Sequence, residues 1–73
     1  MNIVFIGGGN MASAMIGGLL KQGHPASAIH VVDRNEEARA RTRSDFGTPV
    51  SESLADDAAR QAVSAADVIV LAG

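Results

Sequence analysis

Six residues near the start of the chain have the types and spacing of a phosphate-binding loop. Gly7, Gly9 and Ala12 match the pattern G-x-G-x-x-G/A, directly after the short apolar run Ile3 to Ile6. Gly7 permits a tight turn out of a strand, Gly9 lets backbone approach a pyrophosphate, and Ala12 keeps the next helix close to the sheet. The N-terminus of that helix would present free N–H groups and a positive dipole to phosphates. The predicted binding loop is Gly7, Gly8, Gly9, Asn10, Met11 and Ala12.

A carboxylate and a guanidinium follow the second apolar run. Asp33 lies 21 residues after Ala12, and Arg34 comes next. In a dinucleotide-binding domain this strand tip approaches the adenosine ribose. Asp33 would accept hydrogen bonds from ribose hydroxyls and favour NAD, whereas Arg34 would hold a 2′-phosphate or stack on adenine and favour NADP. We therefore predict NADP as the cofactor, with NAD also accepted; a solvated Arg34 is the alternative.

Strands and helices must alternate along the chain to position these residues. Apolar runs predict strands at Ile3 to Ile6, Ile29 to Val32 and Val68 to Leu71. Helices are predicted from Met11 to Lys21, from an Asn35 cap to about Phe46, and from a Ser51 or Ser53 cap to about Val63. The predicted fold class is α/β, a Rossmann-type doubly wound parallel sheet, of which the chain supplies the first β-α-β-α-β half.

Two features of the first helix bear on how it packs. Gly17 and Gly18 lie inside it, where each costs up to about 1 kcal/mol relative to alanine. We interpret them as allowing a close crossing over the sheet or a cofactor. Met11 and Met15 fit a core stripe, although Met11, beside the loop, fits the lining of a cofactor cleft equally well.

The expected sheet leaves one strand edge open. In the usual order the first strand has the second on one side and a fourth on the other. Only three strands are predicted, with Val50 as a short extended piece at most. We therefore expect an uncovered apolar edge beside Ile3 to Ile6, which invites association. On this basis residues 1–73 are interpreted as the N-terminal part of an incomplete dinucleotide-binding domain.

Composition excludes several classes of protein and of site. A net charge of −2 and a pI near 5.4 argue against binding nucleic acid. The arginines from Arg34 to Arg43 share their segment with acidic residues at positions 33, 36, 37 and 45, as on a solvated helix face. There is no cysteine, and His24 and His30 are isolated, so no metal site is expected. No run approaches the ~18 apolar residues of a membrane span and no secretory signal is recognised, so we expect a cytoplasmic protein.

The loop and its helix resemble a particular family. The run GGGNMASAMIGGLLKQG, with Asn10 and Met11 after the glycines, resembles the N-terminus of the Δ1-pyrroline-5-carboxylate reductases, as do residues 32–35 and 66–72. This resemblance implies NAD(P)H-dependent reduction of 1-pyrroline-5-carboxylate to L-proline, with Asn10 and Met11 in the floor of the dinucleotide site. It also implies that the substrate-contacting residues and a helical dimerisation domain lie beyond residue 73. No catalytic residue is therefore assigned, the 73 residues alone should be inactive, and the full-length protein should be a homo-oligomer.

Two alternatives remain at this point. The β-hydroxyacid dehydrogenases and 6-phosphogluconate dehydrogenase have loops that look like G-x-G-x-M-G, whereas Ala12 replaces the last glycine here and Asn10 precedes the methionine. Those differences favour the reductase. The other alternative is a non-catalytic nucleotide-binding module that senses redox state or serves only in assembly.

Overall fold

Four parallel strands form the sheet in the computed structural model, which describes residues 1–72. The strands are β1 (Ile3–Ile6), β2 (Ile29–Val32), β3 (Val50–Ser51) and β4 (Val68–Leu71). Their order in the sheet is β3-β2-β1-β4, and all three pairings are parallel. The predicted α/β class with a doubly wound parallel sheet is confirmed.

Within residues 1–72, three α-helices and one short 3₁₀ helix connect the strands. They are α1 (Asn10–Lys21), the 3₁₀ turn Ala26–Ala28, α2 (Glu36–Phe46) and α3 (Asp57–Ala65). The start of α2 is the predicted one, because the Asn35 side chain accepts a hydrogen bond of 2.8 Å from the Ala38 N–H. Gly47 ends α2 in the left-handed region, with φ at 70°.

Each face of the sheet has its own core. On the face covered by α1, Phe5, Ile29 and Val31 pack with Ala12 and Ile16. On the opposite face, Val4 and Val32 pack against Ala59 of α3. Because helices cover both faces, β1 and β2 are buried on both sides, which accounts for their uninterrupted apolar runs.

The strand neighbouring β1 differs from the sequence expectation. Ile3 pairs with Val68 and Ile6 with Leu71, so β4 covers the edge of β1 that was predicted to be open. That prediction is wrong because residues 50–51 form a strand of their own beside β2, and the α3 crossover then carries the chain to the far side of β1. The exposed apolar residues at this side of the sheet belong to β4.

The buried face of α1 also differs from the prediction. Met11 and Met15 are 63% and 42% exposed, whereas Ala12 and Ile16 are fully buried. The core-stripe interpretation of the two methionines is therefore wrong. The close crossing of the sheet predicted from the glycines is wrong too. A Cβ on Gly17 would meet Phe46 of α2 at an ordinary 3.7 Å, and one on Gly18 would meet no atom within 4 Å.

Helix α3 begins later than its predicted serine caps. Asp56 is its N-cap residue, and the helix runs from Asp57 to Ala65. The Asp56 carboxylate accepts from the N–H groups of Glu52 and Ser53, at 3.2 and 3.3 Å. These bonds stabilise a turn over residues 52–56, and such side-chain-to-backbone bonds compete with helix formation.

Candidate dinucleotide-binding site

The predicted site residues gather at one edge of the sheet. Gly7 follows β1 and Asp33 follows β2, and because all strands are parallel these carboxyl ends lie side by side. From β1 the chain goes to β2 on one side, whereas β4 is added on the other side. Ligands of open α/β sheets bind outside the carboxyl ends at such a reversal of strand order. The fold therefore places the loop where this architecture binds ligands.

Gly7 makes the turn out of β1. Its φ is 108°, a left-handed conformation that side chains rarely adopt. The Gly7 N–H donates a 2.8 Å hydrogen bond to the Val32 carbonyl at the end of β2. The first glycine of the loop is thus required by backbone geometry and joins the two central strands.

Gly9 leaves space at the N-terminus of α1. It is the N-cap residue, a Cβ added there would meet no atom within 4 Å, and no side chain caps the helix. The first turn carries no acidic residue. The first N–H groups of a helix have no partner within the helix and attract anions, aided by the helix dipole. An uncapped N-terminus beside open space fits a phosphate group.

Gly8 lies inside the protein rather than at the surface. Its N–H donates to Asp33 Oδ2 at 2.6 Å. A Cβ on Gly8 would lie 3.2 Å from that same oxygen, which is tighter than normal packing. It would lie 3.4 Å from Val31 Cγ1, at the limit of normal packing. Gly8 is therefore a glycine because the end of β2 approaches it closely.

Both carboxylate oxygens of Asp33 accept backbone hydrogen bonds. Oδ2 accepts from Gly8, and Oδ1 accepts from the Asn35 N–H at 2.8 Å. Asp33 is half-buried and lies between the glycine loop and the start of α2. Its carboxylate is thus held by the protein itself at the position where a ribose was expected.

The two arginines nearest the end of β2 have different surroundings. Arg34 is exposed beside the cleft, and its guanidinium makes none of the hydrogen bonds found among residues 1–72. Arg39 is half-buried, and its Nη1 donates to the carbonyls of Asp33 at 3.0 Å and Arg34 at 2.9 Å. The solvated-face interpretation is therefore wrong for Arg39, which holds the turn between β2 and α2. Arg34 remains available to an external anion.

A cleft of about 500 Å³ opens at this edge of the sheet. Its lining includes predicted residues and three that the sequence did not indicate: Gly7, Asp33, Arg34, Glu52, Ser53 and Leu54. Leu54 is half exposed and offers an apolar surface on the side of the cleft formed after β3. The last three were missed because β3 has only two residues, too few for a periodic pattern to reveal the strand that positions them.

The remaining loop residues divide between surface and core. Asn10 and Met11 are exposed in the first turn of α1, so their side chains are accessible to a ligand. Ala12 is fully buried against the sheet, which matches its predicted packing role and removes its side chain from contact with a ligand.

Within residues 1–72 no group of three or more His, Cys, Asp or Glu could hold a metal ion. No helix in the same part of the chain is long and apolar enough to cross a membrane.

Comparison with known proteins identifies the family. Residues 2–73 match the family described as "NADP oxidoreductase coenzyme F420-dependent". The chain belongs to this family. Its description names NADP, which agrees with the predicted nicotinamide nucleotide cofactor.

Pyrroline-5-carboxylate reductases are among the known proteins to which this chain is similar. The chain is 48% identical over 69 residues to the enzyme of Pseudomonas aeruginosa, an alignment covering 94% of the chain and 23% of that protein. It is 71% identical over 38 residues to the Haemophilus influenzae enzyme, covering 52% of the chain and 14% of the relative. The reductase structure from Coxiella burnetii matches with a TM-score of 0.84 and 35% identity, over 99% of this chain and 25% of that one. The predicted resemblance to the reductases is confirmed. The chain spans about a quarter of the length of the Pseudomonas aeruginosa and Coxiella burnetii proteins.

Proposed function

We propose that this chain forms the part of an NAD(P)H-dependent pyrroline-5-carboxylate reductase that binds the phosphates and adenosine of the cofactor. The observation that carries the proposal is the uncapped N-terminus of α1 at Gly9, open to solvent beside a cleft that holds Arg34. The reductase names of the similar proteins supply the reaction, which is reduction of 1-pyrroline-5-carboxylate to L-proline.

The residues of this chain would hold the cofactor and set its position. The backbone N–H groups that begin α1 bind the pyrophosphate, since they have no side-chain cap. Leu54 and Arg34 line the side of the cleft assigned to the adenosine, where an apolar surface and a guanidinium plane suit a purine. When bound, the reduced nicotinamide supplies hydride to the carbon of the ring C=N bond. Fixing the phosphates fixes where the hydride is delivered.

NADP is proposed as the preferred cofactor, with NAD also accepted. Arg34 is exposed at the cleft, where a 2′-phosphate would find a charged donor. Asp33, the residue that would favour NAD, already accepts one backbone N–H at each carboxylate oxygen. The exposed guanidinium of Arg34 at the cleft therefore favours the phosphorylated ribose.

The substrate-contacting residues and subunit contacts are proposed to lie outside this chain. Residues 1–73 correspond to about a quarter of the similar reductases, so we propose that they form the N-terminal part of a dinucleotide-binding domain. The remaining strands, a helical dimerisation domain and the substrate pocket would come from the rest of a homo-oligomeric protein. The 73 residues alone are then expected to bind cofactor without reducing the imine.

Cofactor binding can be tested on the 73-residue chain by nuclear magnetic resonance. Titration with NADPH or NADH should shift the amide signals of Gly9, Asn10 and Met11. Arg34→Ala should weaken NADPH by roughly tenfold more than NADH, because one charge-assisted hydrogen bond to phosphate is lost. Arg43→Ala, which removes an exposed arginine in the last turn of α2, is the matched control and should change neither affinity. Absence of binding by either nucleotide would overturn the proposal, and equal losses in Arg34→Ala would remove the 2′-phosphate role.

The reaction can be tested in a chimera. This chain would replace the aligned 69-residue segment of the Pseudomonas aeruginosa reductase, with which it shares 48% identity. We expect the chimera to form proline with NADPH. A folded chimera that binds NADPH but forms no proline would count against a reductase and favour a binding module.

A further inference from the structure

We propose that Asp33 is a positioning residue of the phosphate loop, holding Gly8 in place, rather than a ribose ligand that selects NAD. This inference rests on the proposed function, because the loop in question is the proposed phosphate site. Gly8 and Asp33 are 25 residues apart in the sequence, and the bond between them joins the end of β2 to the loop that follows β1.

The carboxylate of Asp33 is fixed from two directions. Gly8 N–H donates to Oδ2 at 2.6 Å, and Asn35 N–H donates to Oδ1 at 2.8 Å. The backbone of Asp33 is fixed as well, because its N–H donates to Ser51 at 2.9 Å and its carbonyl accepts from Arg39 at 3.0 Å. Because the Asp33 carboxylate is held in place, its hydrogen bond restrains the position of Gly8.

This bond determines which N–H groups of the loop remain for a ligand. Gly7 N–H is taken by Val32 and Gly8 N–H by Asp33. The Ser13 N–H is already bonded to the Gly9 carbonyl, the first bond of α1. The donors left for phosphate are then the N–H groups from Gly9 to Ala12, the four unpaired groups at a helix N-terminus. The N–H groups of Gly7 and Gly8 are therefore used within the protein, Gly8 by bonding to Asp33, and those that follow are left for the ligand.

The space around Gly8 supports the same role. Gly8 is buried, and a Cβ there would lie 3.2 Å from Asp33 Oδ2 and 3.5 Å from Thr42 Oγ1. The space beside Gly8, where a side chain would otherwise lie, is occupied by the Asp33 carboxylate. Losing the carboxylate would leave the Gly8 N–H buried without an acceptor, which is unfavourable.

The two roles of Asp33 predict different effects of its removal on the ratio of the affinities for NADPH and NADH. A ribose ligand stabilises NADH and repels a 2′-phosphate, so its removal would weaken NADH alone and change the ratio of the two affinities. A positioning residue acts through the loop, which both cofactors share. Its removal should therefore weaken NADPH and NADH by the same factor.

The test compares Asp33→Ala and Asp33→Asn with Asp67→Asn in the 73-residue chain. Asp67 is a matched control because its Oδ2 also accepts a backbone N–H, from Asn2 at 2.7 Å, away from the loop. The first measurement needs no nucleotide: hydrogen exchange of the Gly8 and Asn35 amides. We expect exchange at Gly8 to be about tenfold faster or more in Asp33→Ala. Asparagine keeps one carbonyl oxygen, so in Asp33→Asn one of the two amides should remain protected.

The second measurement is the affinity of each variant for NADPH and NADH. We expect Asp33→Ala to weaken both by about tenfold, with Asp33→Asn intermediate and Asp67→Asn unchanged. Unchanged exchange of both amides in Asp33→Asn, or loss of NADH affinity alone in either Asp33 variant, would overturn the proposal. If the unmodified chain binds neither nucleotide, the proposed function fails, whereas the amide measurement still decides whether Asp33 holds Gly8.

Discussion

Adjacent glycines in the loop are required for different physical reasons. Gly8 is enclosed by the end of β2, where a methyl group would lie a tight 3.2 Å from Asp33 Oδ2, whereas Gly9 faces open space. Neither has a positive φ, so conformational freedom does not distinguish them. The difference lies in what approaches each glycine: the protein approaches Gly8, and the proposed phosphate approaches Gly9.

Alanine substitutions should separate these two reasons. Gly8→Ala is expected to lower the free energy of unfolding by about 1–3 kcal/mol, because overpacking forces the end of β2 away. Gly9→Ala is expected to cost only about 0.5 kcal/mol as a poorer N-cap, yet to weaken nucleotide binding by crowding the phosphate. Urea unfolding and NADPH titration of both variants provide the measurements. Equal destabilisation by the two substitutions would contradict this assignment.

At the scale of elements, the shortest strand is joined to its neighbour by a side-chain hydrogen bond. His30 of β2 and Ser51 of β3 are both buried, and Nε2 lies 2.6 Å from Oγ. His30 is therefore an interior residue of a central strand. The bond supplements the two-residue pairing of β2 with β3. Burial lowers the pKa of His30 from its usual 6.5.

The lowered pKa of His30 predicts a decrease in stability at acidic pH. In the unfolded chain His30 takes up its proton near pH 6.5, whereas in the folded chain it does so only at lower pH. The unfolded state then binds more protons, so the free energy of unfolding should fall as the pH drops below 6.5. Urea unfolding between pH 5 and pH 8 measures this. His30→Gln should flatten the dependence, and an unaltered slope in this variant would refute the assignment.

At the scale of the whole molecule, β4 is the strand whose apolar residues remain exposed. Val68, Ile69 and Leu71 are 40%, 48% and 81% exposed. Ile69 pairs with Val4 and Leu71 with Ile6, so these two extend the α3 face of the sheet past the part that α3 covers. An edge strand with unpaired backbone groups and exposed apolar side chains favours pairing with another chain. Association with another chain, which the sequence analysis expected at the edge of β1, is therefore expected at β4 instead.

A charged residue on β4 should reduce self-association of the 73-residue chain. We expect the chain to self-associate as its concentration rises, and Leu71→Lys to shift that process to higher concentration. Because Leu71 is largely exposed, this substitution should change stability by less than about 0.5 kcal/mol. Sedimentation velocity is the measurement, and Gln61→Lys on the exposed surface of α3 adds the same charge as a control. Equal behaviour of the two variants would exclude β4 as the contact surface.

Features that depend on neighbouring residues in the chain were predictable from the sequence. The turn at Gly7, the Asn35 cap of α2 and the three longer strands follow from local conformational preference and from continuous apolar runs. The alternation of these elements was enough to predict a parallel sheet with its loop and Asp33 at one edge. Local chemistry also carried the family resemblance, because the residues that form the loop are consecutive.

Contacts between distant residues were decided only in the tertiary structure. Which strand covers β1 depends on the two-residue strand β3, which is too short to show a pattern. Whether Met11 or Ala12 is buried depends on how α1 is rotated against the sheet, and both fit the same helical period. The position of Asp33 at the end of β2 followed from the sequence, whereas the hydrogen bond that its carboxylate accepts from Gly8 was seen only in the fold. The glycine loop was visible in the sequence, but its hydrogen bond to Asp33 was not, because that bond spans 25 residues that only folding brings together.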